Sequence, residues 1–80
     1  MAEDSVLKAV LAAVREVAPG VDVSEDSPLI ATRAIDSLSL LSLVALLEKE
    51  FSVTIRDSEL LPVHFETPLA IRAFLRTKGR

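Results

Sequence analysis

From Val6 onward the chain returns to an apolar side chain every three or four residues, at Val6, Leu7, Val10, Leu11, Val14 and Val17, while Lys8, Arg15 and Glu16 fall mostly on the other side. That spacing belongs to a helix with one buried face, so an amphipathic helix is predicted over residues 4–18. Asp4 or Ser5 caps its start. Pro19-Gly20 ends it, because proline disfavours a helical residue before it and glycine accepts the chain reversal. A second and denser run predicts a helix over Ser37–Phe51, with apolar Leu38, Leu40, Leu41, Leu43, Val44, Leu46, Leu47 and Phe51 and charge only at Glu48, Lys49 and Glu50. One buried face does not need that many. At 3.6 residues per turn Leu40, Leu43, Leu47 and Phe51 form one stripe with Val44 on its edge, and Leu38, Leu41 and Ala45 drift toward another side. Periodicity leaves two readings open for that second stripe: a central helix buried all round, or an exposed ridge on which a partner docks.

The stretch over residues 21–35 is polar at Asp22, Ser24, Glu25, Asp26, Ser27 and Pro28, with Val21, Val23, Leu29 and Ile30 as apolar anchors. It is too apolar for a free linker and is expected to pack on the core, with a single helical turn inside it, and to deliver Ser37. After Ser52 the β-branched Val53-Thr54-Ile55 predicts a short extended piece. In Arg56-Asp57-Ser58-Glu59, Asp57 or Ser58 starts a brief turn carrying Leu60 and Leu61, which Pro62 limits. Val63-His64-Phe65-Glu66 then reads as a connection. Thr67-Pro68 has the form of an N-cap followed by proline at the first helical position, so the last helix begins there, with Leu69, Ile71, Ala73, Phe74 and Leu75 on its apolar side and Gly79 closing it. The predicted fold is all-α: three long helices, one short third helix and a long loop between the first two, as a single domain over residues 1–80.

A chain of 80 residues buries only about 60–65% of the surface its unfolded form exposes, which argues against a deep catalytic cleft. Half the residues are hydrophobic but only three are aromatic, Phe51, Phe65 and Phe74, so the core must be aliphatic. The absence of cysteine excludes disulfides, thiolate metal sites and cysteine nucleophiles, and points to a reducing cytoplasm. No apolar run has the length of a membrane span or the form of an export signal, so no membrane association is expected. The net charge is −3. Arg72, Arg76, Lys78 and Arg80 cluster at the end of the last helix, where the macrodipole favours cations, and no basic patch with interleaved aromatics suggests nucleic acid. His64 is the only histidine, so a Ser37/His64/Asp36 triad would need it to fold back onto the serine, and Asp36, adjacent to Ser37, is better suited to capping. Glu16, Asp22, Glu25 and Asp26 lack the ordered ligand spacing of a calcium loop and read as solvated, so no metal site is expected. With glycine only at positions 20 and 79 there is no phosphate-binding loop. Nothing here equips an enzyme.

The chemistry that remains lies in Ile35-Asp36-Ser37-Leu38. A serine just behind an acidic N-cap sits at a helix start, where unpaired N–H groups and the positive end of the macrodipole favour a phosphate, so Ser37 suits a phosphodiester link. By itself the tetrapeptide reads equally as a capped helix start. In its setting the chain resembles the acyl carrier protein and peptidyl carrier protein superfamily. The resemblance runs through Leu29, the Ile35-Asp36-Ser37-Leu38 motif, Leu43-Val44-Ala45-Leu46-Leu47-Glu48-Lys49-Glu50-Phe51 and Val53-Thr54-Ile55.

The resemblance implies a four-helix bundle in which Ser37 carries a 4′-phosphopantetheine arm installed from coenzyme A by a phosphopantetheinyl transferase, with cargo held as a thioester on the arm's thiol. Asp36 would be the motif acid and N-cap. Leu38, Leu41, Ala45 and Arg33 would contact partners: an adenylating enzyme or acyltransferase that loads the thiol, and a downstream synthase or transferase that removes the unit from a monomeric carrier. Three departures refine the expectation. Ala34 stands where the family often has glycine. Arg33 is a basic intrusion before the motif. Ser39 and Ser42 replace acidic residues usual in fatty-acid carriers, which shifts recognition toward Leu38, Leu41 and Ala45 and away from primary fatty-acid synthesis. Asp57-Ser58-Glu59-Leu60 followed by Thr67-Pro68 is similar to the third-helix region of discrete carriers, such as D-alanyl and aminoacyl or polyketide carriers. The expected role is therefore a stand-alone carrier in polyketide or nonribosomal peptide (antibiotic) biosynthesis, with D-alanylation as a further subclass. The competing class is a helical interaction domain that uses the same leucines and never receives the arm. Exposure of Ser37 separates the two.

Overall fold

In the computed structural model, which describes residues 4–80, the helices form where capping residues and apolar periodicity coincide. The first three residues of the expected 1–80 domain lie outside the described residues. Helix α1 (Ser5–Val17) begins with the Asp4 carboxylate accepting the Leu7 N–H at 3.0 Å. Helix α2 (Ser37–Phe51) begins at Asp36 and ends at Ser52, which adopts the left-handed region at φ 53° and donates its N–H to the Glu48 carbonyl. A 3₁₀ turn (Asp57–Glu59) and the four-residue helix α3 (Pro62–Phe65) precede helix α4 (Pro68–Thr77), whose N-cap Thr67 accepts the Ala70 N–H at 3.0 Å. Among the described residues there are no strands. Helix α1 packs on both α2 and α4, and α3 packs on α4. This is the expected four-helix bundle with its long first loop.

The core is aliphatic with two phenylalanines. Val10 and Val14 of α1, Leu29 of the loop, Leu43 and Leu47 of α2, Phe65 of α3 and Ile71 and Leu75 of α4 have almost no accessible surface. Phe65 and Phe74 meet at tilted rings 5.8 Å apart, and His64 stacks on Phe74 at 4.6 Å, which explains the lone histidine as a packing residue.

The long loop is tied down at both ends of its apolar segment. Leu29 donates its N–H to the Glu66 carbonyl at 2.8 Å, Ile35 donates back to the Leu29 carbonyl at 3.1 Å, and Leu69 donates to the Glu25 carbonyl at 3.0 Å. With Val23, Leu29 and Ile35 buried, the loop is part of the bundle's structure and fixes the approach to α2. The helical turn expected inside it takes the form of a turn closed by the Thr32 N–H on the Pro28 carbonyl at 3.3 Å.

Four expectations need correction. Pro62 does not limit the third helix but opens it: proline lacks only an N–H that is unpaired at a helix start anyway, and its fixed φ suits that position. The short helix therefore covers Pro62–Phe65, part of the segment expected to be a connection, and Asp57–Glu59 forms only a 3₁₀ turn. Phe51, assigned to the buried stripe, is only half-buried because it is the last residue of α2. Val21 is exposed, since the loop turns inward only at Val23. Leu69 and Ala73 are exposed because the 3.6-residue period sets them nearly opposite Ile71 on α4.

Arg72, Lys78 and Arg80 of the basic C-terminus are paired within the chain. Lys78 pairs with Glu59 at 2.6 Å and donates to the Thr54 carbonyl at 2.9 Å, and Arg80 donates to the Ser52 carbonyl at 3.2 Å. Arg72 holds Asp4 at 2.9 Å. Among the described residues no helix is long and apolar enough to cross a membrane, and no group of acidic or histidine side chains could hold a metal ion.

Candidate functional site

Asp36 sets the geometry at the head of α2. Its backbone is extended and its carboxylate accepts the Ser39 N–H at 2.9 Å, while its carbonyl accepts the Leu40 N–H at 2.8 Å. The side chain is thereby committed to the helix end. The Ser39 backbone N–H, helped by the Ser39 hydroxyl, holds the Asp36 carboxyl below the usual carboxylate range.

Ser37 is the first residue of α2. It is exposed, and among the described residues its hydroxyl has no hydrogen-bond partner. The N–H groups of the first turn and the dipole of a 15-residue helix favour negative charge beside it. A free hydroxyl at that point fits a phosphodiester link without displacing any contact in the bundle.

Ser37 lies on a hollow of about 490 Å³ whose lining includes Ile30, Arg33, Asp36, Leu40 and Pro62. Here the loop, α2 and the start of α3 meet. Sequence reasoning did not assign Pro62 or Ile30 to the site. The signal for Pro62 was the Leu61-Pro62 pair, which also reads as an N-cap followed by a first-turn proline.

The residues expected to contact partners separate into two groups. Leu38, Leu41 and Ala45 are all exposed on one side of α2, Leu38 to 76% and Leu41 to 58%. Leu38 and Ala45 border a groove of about 590 Å³ between α1 and α2 that also includes Ser39, Ser42, Leu46 and Lys49. Leu41 lies outside that groove, and Arg33 belongs to the hollow at Ser37. The second leucine stripe of α2 is thus not buried all round. Leu61 and Val63, on either side of Pro62, add exposed apolar surface on α3 that the sequence pattern did not reveal.

Three carboxylates share one direction of pKa shift: Asp36, Asp4 through the Leu7 N–H and Arg72, and Glu59 through Lys78 and the Arg56 N–H all sit below their ordinary values. A carboxyl whose pKa is lower in the folded state stabilises the fold above its unfolded value, about 3.9 for Asp and 4.3 for Glu, and loses that contribution as pH falls through the folded value. Asp36→Ala is therefore expected to melt below the wild type at neutral pH, with the gap closing in acid, whereas Asp36→Asn keeps a capping oxygen and most of the stability. Thermal melts from neutral to strongly acidic pH check this. A gap of the same size throughout would contradict the capping role.

A family model described as the phosphopantetheine attachment site matches residues 5–75. No curated protein and no solved structure gives a significant match.

Proposed function

Because the chain belongs to the phosphopantetheine attachment family, a superfamily of non-catalytic carriers whose covalently bound group is 4′-phosphopantetheine, we propose that Ser37 is its attachment residue and that it carries acyl or aminoacyl units between enzymes. The observation that carries this reading is the exposed, unpartnered Ser37 hydroxyl at the first position of α2. Carriers of this kind act with a phosphopantetheinyl transferase and with enzymes that load and unload them.

In attachment, the Ser37 Oγ attacks the pantetheine-side phosphorus of coenzyme A and forms the new phosphodiester as the diphosphate bond breaks; adenosine 3′,5′-bisphosphate leaves, and the hydroxyl proton passes to a base on the transferase. When bound, the arm supplies the thiol that this cysteine-free chain lacks, on which cargo is held as a thioester. The chain's own residues do the rest. Asp36 fixes the first turn of α2, and the loop pinned at Leu29 and Ile35 holds Ser37 at the surface. Leu38, Leu41 and Ala45 offer an apolar face beside it for transient docking.

The pathway is proposed from that face. With serines at 39 and 42 it offers little negative charge to a basic partner patch, which favours polyketide or nonribosomal peptide enzymes over fatty-acid synthesis, in the cytoplasm where a free thiol persists. Incubating the arm-bearing chain with an adenylating enzyme, ATP and labelled acids, or with an acyltransferase and labelled acyl-coenzyme A, tests the carrier role. A hydroxylamine-labile label on the arm-bearing chain, absent from the unmodified chain, is expected; a label of equal size on both would refute it. Leu41→Glu is expected to slow that loading by about tenfold or more, since a charge is forced into an apolar contact, with the melting temperature unchanged because Leu41 is exposed. Unaltered loading kinetics would remove Leu41 from the docking surface.

A further inference from the structure

Among the residues lining the hollow at Ser37, Arg33 is the one cation. Resting on the assignment of Ser37 as the attachment residue, we propose that Arg33 is a positioning residue for the arm: it pairs with the phosphodiester on Ser37 Oγ and so lays the arm's first apolar segment against Ile30, Leu40 and Pro62.

Four observations lead there. The phosphodiester is bonded directly to Oγ, so it must lie at the mouth of the hollow that Arg33 lines. Attachment places a second negative charge beside the ionised Asp36, and the only lining group that offsets both is the Arg33 guanidinium. That guanidinium is available: among the described residues it has no hydrogen-bond or ion-pair partner. By contrast Arg15, Arg72, Lys78 and Arg80 are each tied to a carbonyl or carboxylate of the chain. Finally, Arg33 is held in place, with its N–H on the Ile30 carbonyl at 3.1 Å and φ at 60°, a left-handed conformation uncommon for a long side chain.

An arginine suits this task better than a lysine, because its planar fork meets two phosphate oxygens at once. Beyond Ile30 and Pro62 the surface continues into an adjoining hollow that contains Glu66, where an anion would be repelled. The phosphate is thus favoured at the Arg33 end, and the apolar wall between is left for the methyl groups next to it on the arm.

The test uses isotopically labelled chain carrying the arm, as wild type, Arg33→Asn and Arg33→Lys. Asparagine tolerates the left-handed backbone, so Arg33→Asn removes the charge without adding strain. In the wild type, arm attachment is expected to move the Arg33 Nε–H resonance and to give nuclear Overhauser contacts from the arm's geminal methyls to Ile30 and Leu40. In Arg33→Asn these contacts should weaken by about fivefold or more, and Arg33→Lys should recover part of them. Intact mass measured on the same samples reports attachment separately. Full attachment with unchanged contacts in Arg33→Asn overturns the proposal, as does slower attachment with unchanged contacts, which would assign Arg33 to transferase recognition. Absence of any mass gain in the wild type defeats the attachment reading itself.

Discussion

Truncation of Leu47 to alanine is expected to cost about 2–5 kcal/mol of folding stability, and Leu43→Ala a similar amount. Both side chains are fully buried in the cluster that joins α1, the loop, α3 and α4, so their loss removes transfer energy and leaves a cavity that neighbouring helices fill only in part. For a domain of 80 residues the total stability is about 4–12 kcal/mol, so the change removes a large share of it. At about 4–8 °C per kcal/mol for a domain of this size, the melting temperature should fall by at least about 8 °C. Leu41→Ala is the internal control. It deletes the same atoms from the same helix, yet Leu41 is exposed, and its effect should stay within about 0.5 kcal/mol. Thermal or urea melts of the three variants check the contrast; equal effects for Leu41 and Leu47 would overturn the assignment of buried and exposed faces on α2.

The largest functional effect is expected from Ser37→Ala, which should abolish arm attachment outright. No side chain can stand in for its hydroxyl. Ser39 and Ser42 lie further along α2, past its first position. Ser24 and Ser27 hydrogen-bond one another in the loop. The substitution leaves the fold intact, because Ser37 is exposed and alanine is a good helix former. In-gel fluorescence after incubation with a fluorescent coenzyme A analogue and a transferase should therefore label the wild type, Ser39→Ala and Ser42→Ala, and leave Ser37→Ala dark. Residual labelling of Ser37→Ala would place the attachment elsewhere.

Much of this architecture is legible in the sequence where a cap and a helical period coincide. Asp4 and Pro19 bracket α1, Asp36 and Ser52 bracket α2, and Thr67-Pro68 opens α4, each close to where the structure has it. The region between α2 and α4 is less legible because its signals compete. Pro62 could equally stop a turn carrying Leu60 and Leu61 or start a helix through Val63, and only packing of Phe65 into the core decides between them. The surplus of leucine in α2 shows that one stripe must be exposed or partnered, but not which; α1 decides it by covering one side and leaving Leu38, Leu41 and Ala45 open. The hollow at Ser37 is the least legible part. It is assembled from Ile30, Leu40 and Pro62, residues brought together by the Leu29 to Glu66 hydrogen bond across the chain, and no local pattern announces such a meeting.

The central claim is that this bundle is a carrier armed at a single serine. Intact-protein mass spectrometry of the wild-type chain, after incubation with coenzyme A and a permissive phosphopantetheinyl transferase, tests it most directly. The account predicts a mass gain of one phosphopantetheine and no more; no gain in a folded sample would contradict it and leave the exposed leucines of α2 as the face of an interaction domain.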